Sequence, residues 1–175
     1  MIRRTIGAAA MAAALALAAQ PATAQGFSAG YTDIGPTIAI GNIGSASIAF
    51  GGRFEHGLRD LPDFGNGVLG IQVGATYYSW SSAFASWSII PIGVTGNYHF
   101  NLDNDRIDPF IGLGLGYEII NCSWDGPGIS GCGNSTLYFI GRAGIRYFMS
   151  DSLALYADAG AGGGTLNAGA MFRIR

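Results

Sequence analysis

The sequence predicts an all-β fold: an eight-stranded antiparallel up-and-down β-barrel that spans a membrane as strands. Large apolar residues alternate with glycine and charged residues, most clearly over 109–120, and the pattern recurs in eight segments. After residue 24 no apolar run reaches the roughly 20 residues of a membrane-spanning helix. Because lipid offers no hydrogen-bond partners, strands can cross it only as a closed barrel, which is apolar outside and polar inside.

The first element, residues 1–24, reads as a cleaved export signal. Arg3 and Arg4 precede an apolar stretch over 6–19, and Ala22-Thr23-Ala24 supplies small residues for cleavage. The remaining 25–175 form one predicted barrel domain. Without Arg3 and Arg4, seven arginines face eleven acidic residues and there is no lysine, which argues against nucleic acid as a partner.

Eight segments follow, each bounded by turn residues and each with one apolar face that we predict to point outward. In chain order the outward sets are Ile34, Ile38, Ile40; Ile48, Phe50, Phe54; Leu69, Ile71, Val73, Tyr77; Ile90, Ile92, Val94, Tyr98, Phe100; Ile111, Leu113, Leu115, Tyr117, Ile119; Leu137, Phe139, Ile145, Tyr147; Leu153, Leu155, Ala157, Ala159; Leu166, Ala168, Ala170, Phe172, Ile174. The glycines on the opposite faces would leave room for larger neighbours inside a narrow barrel.

Aromatic residues near the segment ends predict two girdles at the membrane boundaries. If both chain ends are periplasmic, one girdle comprises Phe54, Tyr98, Phe100, Phe110, Tyr147 and Phe172, and the outer one comprises Tyr77, Trp80, Trp87, Tyr117 and Phe139. The connection over 55–67 is long for a periplasmic turn, so it fits this pattern less well.

The chain resembles the small eight-stranded outer-membrane β-barrel family of Gram-negative bacteria, the OmpA-, OmpX- and opacity-like domains. The resemblance is carried by 107–117, IDPFIGLGLGY, and by the last segment. There Asn167, Gly169, Phe172 and Ile174 resemble the family's C-terminal assembly signal, although Ile174 stands where members commonly have an aromatic residue, and Arg175 follows it. The resemblance implies the outer membrane as location, after export through the periplasm, with lipid and the assembly machinery as partners.

Eight charged residues fall on the predicted inward face. They are Asp33, Arg53, Glu55, Glu118, Arg142, Arg146, Asp158 and Arg173. Hairpin geometry predicts two ion pairs, Arg142 with Asp158 and Asp33 with Arg53. An eight-stranded barrel is only wide enough for side chains. We therefore expect this lumen charge network to plug the barrel, with a gated ion leak or small-solute pore as the alternative.

Cys122 and Cys132 flank one predicted outward loop and read as a disulfide in an exported protein. Trp124 and Ile129 within this loop are candidate contacts for an extracellular ligand or host surface. Two thiols alone do not make a zinc site. The stretch with Asp103, Asp105 and Asp108 reads as a solvated turn, so no metal or cofactor is predicted.

The functional expectation is a non-enzymatic envelope protein, with a structural or envelope-integrity role or a surface-interaction role through its outward loops. One alternative is a lipid-modifying barrel enzyme, for which His56 and His99 are the available histidine bases, without a recognisable catalytic motif. Another is a soluble ligand carrier of lipocalin type, which would turn the apolar residues inward.

Overall fold

The computed structural model describes residues 26–43, 46–83, 85–124 and 134–175. Its strands are β1 (Thr32–Ile43), β2 (Ala46–Leu61), β3 (Gly67–Ser82), β4 (Ala85–His99), β5 (Ile107–Trp124), β6 (Thr136–Ser150), β7 (Leu153–Ala161) and β8 (Leu166–Arg173). Each strand pairs antiparallel with the next, and β1 pairs with β8, so the sheet closes. The predicted eight-stranded barrel is confirmed. The described residues include no helix long and apolar enough to cross a membrane.

The side chains are distributed as the alternation predicts. Leu113, Leu137 and Phe139 on the outer wall are 76, 73 and 84% exposed, whereas Asp33 and Glu55 inside the barrel are fully buried. A barrel in water would bury the first set and expose the second. The distribution is therefore that of a barrel surrounded by lipid.

The two ends of the barrel differ. The terminal end carries both ends of the described chain and the connections 62–66, 100–106 and 151–152, and the loop end carries the other four connections. β2 runs on to Leu61, which pairs with Gly67, so the connection at the terminal end is the short turn 62–66 and not the long 55–67 segment. The prediction ended β2 too early because a register shift between Gly57 and Arg59 interrupts the alternation there.

At the loop end, three strands rise beyond their neighbours. β2 pairs with β3 as far as Tyr77, and β6 pairs with β5 as far as Glu118, but the ladders joining β3, β4 and β5 continue to Ser82–Ala85 and Ala85–Trp124. We call residues 78–82, 85–89 and 119–124 the raised sheet. Its outer face is polar; the residues there are Ser79, Ser81, Ser86, Ser88, Asn121 and Ser123.

The girdle prediction is partly wrong. Trp80 packs against buried Ala39, Ala49 and Tyr78 on the lumen side, and the Trp87 ring stacks on Trp80 with centroids 5.6 Å apart. Phe110, assigned to the other girdle, is 2% exposed and lies inside the barrel. Trp80, Trp87 and Phe110 all lie on the inward face of their strands. Their position near a strand end was therefore not a sufficient reason to assign them to a girdle. Exposed aromatic residues remain on the outer wall near both ends; they are Tyr77, Tyr117, Phe139, Phe100, Tyr147 and Phe172.

Inward glycines make room for large side chains in the narrow lumen. A Cβ on Gly116 would lie 2.2 Å from the Tyr138 ring, and one on Gly144 would lie 2.6 Å from both Phe110 and Asp158. The glycines of β5 and β6 thus allow aromatic and charged side chains to fill the interior.

Candidate functional site: the charged lumen

The inner layer is a cluster of charged side chains nearest the terminal end: Asp33, Glu55, His99, Asp108 and Arg146. The ladders place Asp33 beside Glu55 and Asp108 beside Arg146. Arg146 Nη1 donates to Asp33 Oδ2 at 2.7 Å, and Nη2 donates to Glu55. Arg146, Asp33 and Glu55 are all 0% exposed. Buried charges persist only when paired, and this cluster meets that requirement across the lumen.

His99 lies between two carboxylates of the inner layer. Its Nε2 is 2.9 Å from Glu55 Oε1, and its Nδ1 is 2.9 Å from Asp108 Oδ2. Ionised carboxylates only accept hydrogen bonds, and a neutral imidazole has one donor. We infer that His99 is an imidazolium that donates from both nitrogens. Two cations, Arg146 and His99, then face three carboxylates in this layer.

The middle layer lies next along the lumen and comprises Arg53, Arg142, Asp158 and Asn167. Asp158 accepts from Arg53, from Arg142 Nη1 at 2.8 Å and from Asn167 Nδ2 at 2.7 Å. The Arg53 guanidinium lies 4.0 Å from the centroid of the Tyr156 ring, in cation–π contact. Here two cations share one carboxylate, so the middle layer carries an excess positive charge.

The structure forms one of the two expected ion pairs. Arg142 and Asp158 are in contact, whereas Asp33 pairs with Arg146 and Arg53 pairs with Asp158. The Asp33–Arg53 prediction is wrong because the ladder sets Asp33 against Glu55, whereas Arg53 lies two residues before Glu55 and is opposite Gly35. Sequence reasoning used neighbouring strands, but in a narrow barrel side chains reach partners on the opposite wall.

The other two predicted lumen residues lie nearer the barrel ends. Glu118 is half-buried towards the loop end, beside Pro91 and Thr136 in the ladders. Arg173 lies at the terminal end, where its guanidinium is 4.9 Å from the centroid of the Tyr31 ring and its Nε donates to the Arg175 carbonyl oxygen.

Residues 26–31, the N-terminal plug, cover the inner layer from the terminal end. The Phe27 ring stacks on His99 with centroids 3.8 Å apart and planes 20° from parallel, and the Arg146 guanidinium lies 4.9 Å from its centroid. The plug is fixed to β2 because Gly30 N donates to the Gly57 carbonyl and Gly57 N donates to that of Tyr31. Burial, reinforced by Asp33, raises the pKa of Tyr31 above its ordinary value. The plug thus places an aromatic seal over the buried ion pairs.

Sequence reasoning missed part of this cluster. Asp108 was interpreted as part of a solvated turn, but it is the second residue of β5, is 5% exposed and accepts from His99. The available signal was its even spacing from Gly112 and Glu118, which puts it on the inward face. Nothing in the periodicity marks Phe27, because it precedes β1.

The remaining predicted sites are outside the lumen or only partly described. Cys122 lies in β5 opposite Trp87, while Cys132 and Ile129 lie outside the described residues, so the disulfide stays a prediction. Trp124 is the last residue of β5.

The residues of the predicted assembly signal lie in and just after β8. Asn167 is buried and donates to Asp158. A Cβ on Gly169 would clash with the Pro36 carbonyl oxygen. Phe172 and Ile174 are exposed on the outer wall.

Comparison with known proteins identifies solved structures that share this architecture. No family model and no curated protein sequence matches the chain. Among solved structures, the chain is similar to Ail, the attachment invasion locus protein of Yersinia pestis, with 15% identity, a TM-score of 0.57 and coverage of 82% of this chain and 97% of that one. It is also similar to the outer membrane protein OprG of Pseudomonas aeruginosa, with 11% identity, a TM-score of 0.52 and coverage of 85% and 92%. The chain is also similar to the N-terminal β-barrel domain of Pseudomonas aeruginosa OprF, with 13% identity, a TM-score of 0.51 and coverage of 85% of this chain and 100% of that one. The chain has the fold of the small eight-stranded outer-membrane β-barrels.

Proposed function

We propose that this chain is a non-enzymatic barrel of the Gram-negative outer membrane, held in place by its apolar wall and presenting its loop end outside the cell. Its role is structural or in surface interaction. The observation that carries the proposal is the combination of a fully apolar belt with an interior filled by paired side chains. Such a barrel is anchored in lipid without offering a wide channel through it.

The filled lumen favours a plug over an ion leak. Two layers of ion pairs and the Phe27 ring lie one behind another along the barrel. An ion passing through would have to separate Arg146 from both Asp33 and Glu55 while all three are buried. Breaking a buried pair in this way costs roughly 3 to 5 kcal/mol.

We infer that the raised sheet is part of the surface offered to a partner. The outward segments 41–47, 78–89, 119–136 and 160–166 contain Asp125 and no basic residue. Ail has been crystallised with the heparin analogue sucrose octasulfate. A polyanion of that kind needs basic groups, so the serine-rich surface of this chain, which has no basic residue, favours a neutral partner that offers hydrogen bonds.

The enzyme alternative gains little support from the two histidines. Both ring nitrogens of His99 are engaged by carboxylates beneath the Phe27 ring, which leaves no free base there. His56 Nδ1 is 2.7 Å from Thr32 Oγ1, but in the described part of the chain no carboxylate hydrogen-bonds the His56 ring to complete a triad.

Cell fractionation and surface labelling test the proposal. An epitope inserted at Ala83, in the β3–β4 turn, should be reached by antibody on intact cells, and the same epitope at Asp151 should be reached only after permeabilisation. The purified protein should migrate differently before and after boiling and give no steady conductance in a planar bilayer. Soluble periplasmic recovery, the opposite labelling pattern or hydrolysis of added phospholipid would refute the proposal.

A further inference from the structure

A small polar cavity lies in the lumen on the loop-end side of the middle layer. Its volume is about 60 Å³, and its wall includes Arg53, Thr95 and Arg142 together with Gly162 and Gly163 of the β7–β8 turn. On this measure a cavity needs roughly 10 to 15 Å³ to hold one water, so this cavity has room for a few water-sized groups.

Two buried hydrogen-bonding atoms that belong to wall residues have no protein partner. Arg53 is 5% exposed and Thr95 is 2% exposed, yet Arg53 Nη1 and Thr95 Oγ1 make no hydrogen bond to any described residue. Buried polar groups are nearly always satisfied, because leaving one unpaired costs about 1 to 3 kcal/mol. A guanidinium N–H can only donate and a hydroxyl can donate, so both atoms suit an acceptor.

The charge at the cavity also favours an anion. The two guanidinium groups at the wall, Arg53 and Arg142, share the single carboxylate of Asp158. The wall itself includes no carboxylate from the described residues. Glu118 pairs with the wall residue Pro91 in the β4–β5 ladder but does not line the cavity.

We propose that this cavity binds one small monovalent anion, either a halide or a short carboxylate, with Arg53 Nη1 and Thr95 Oγ1 as donors. The anion satisfies both buried donors and lies beside the one layer of the lumen in which cations outnumber carboxylates. Charge-assisted hydrogen bonds of this kind are stronger than neutral ones. A cavity of this size favours a halide or a short carboxylate over an anion with a chain of several carbons.

The β7–β8 turn forms part of the cavity wall and is held in place by hydrogen bonds. Arg142 Nη2 donates to the carbonyl oxygens of Gly162 and Gly164, and the Tyr78 hydroxyl donates to that of Gly163 at 3.0 Å. The three glycines have φ values of 90°, 68° and 120°, which glycine adopts without strain.

Anion-dependent unfolding of the whole barrel tests the proposal. Urea midpoints in detergent micelles are measured while sodium gluconate is replaced by sodium chloride or sodium acetate at constant ionic strength. We expect the midpoint to rise and saturate with either small anion. Thr95→Val removes a donor that has no protein partner, so it should keep the fold and raise the chloride concentration for half-saturation about five- to tenfold. Arg53→Gln should abolish the effect, and Arg59→Gln, at the exposed terminal end, should leave it unchanged.

Bromide locates the site independently. Crystals of the unaltered protein in sodium bromide should show anomalous density within hydrogen-bonding distance of Arg53 Nη1 and Thr95 Oγ1. Equal midpoints in gluconate and chloride, or an identical chloride response in Thr95→Val, would overturn the proposal, as would density absent from the cavity. If Arg53→Gln fails to fold, the chloride response of Thr95→Val and the bromide density decide whether the cavity binds an anion.

Discussion

Replacing Arg146 by Met tests whether the inner layer holds the barrel together. Arg146 is fully buried and donates to Asp33 and Glu55, with its Nε 3.9 Å from Asp108. Met keeps much of the apolar stem but leaves three buried carboxylates with His99 as their one remaining cation. Removing one member of a buried charge cluster costs roughly 3 to 5 kcal/mol, and we expect this variant to lose about that much unfolding free energy.

Urea titration in lipid vesicles measures that loss through the boiling-sensitive shift in electrophoretic mobility. Arg59→Met, an exposed arginine of β2, is the matched control and should change stability by no more than about 0.5 kcal/mol. Combining Arg146→Met with Asp33→Asn and Glu55→Gln removes the uncompensated charges and should recover part of the loss. Arg146→Met within about 1 kcal/mol of the unaltered protein would refute the assigned role of the cluster.

Three further predictions concern packing, the plug and the loop. Gly116→Ala would press on the Tyr138 ring and should destabilise the barrel by roughly 1 to 3 kcal/mol in urea titration, whereas Gly96→Ala, which meets nothing within 4 Å, should not. Phe27→Ala removes the aromatic seal, so amide hydrogen exchange over 28–31 should speed up in mass spectrometry while strand β5 stays protected. Reducing the predicted Cys122–Cys132 disulfide should lower the unfolding free energy by about 2 to 3 kcal/mol; an unchanged midpoint with reductant, or an unchanged intact mass, contradicts the bridge.

The strand count and the facing of side chains could be predicted from sequence because both follow from a period of two. Once Leu113 is placed outward, Gly112 and Gly114 must point inward, and the same rule correctly places Asp33, Glu55 and Arg146. Phe110 obeys this rule as well, and its girdle assignment failed where position near a strand end was preferred to the alternation.

The partners within the lumen could not be predicted in the same way. They depend on which strands face each other across the barrel, and this is set by closure and register, which are not visible in local spacing. Arg53 reaches Asp158, 105 positions away, and Arg146 reaches Asp33, 113 positions away. The Phe27 contact depends in addition on a segment outside any periodic element.

The distribution of the inner layer over five strands has a consequence for biogenesis. Its members come from β1, β2, β4, β5 and β6, and the first and last of these strands meet through the lumen only when β8 has joined β1. An open, half-assembled sheet would hold lone carboxylates and a lone guanidinium near hydrocarbon, which is a high-energy species. Completing the cylinder and neutralising its interior must therefore occur together, which makes insertion an all-or-none step with few stable stopping points.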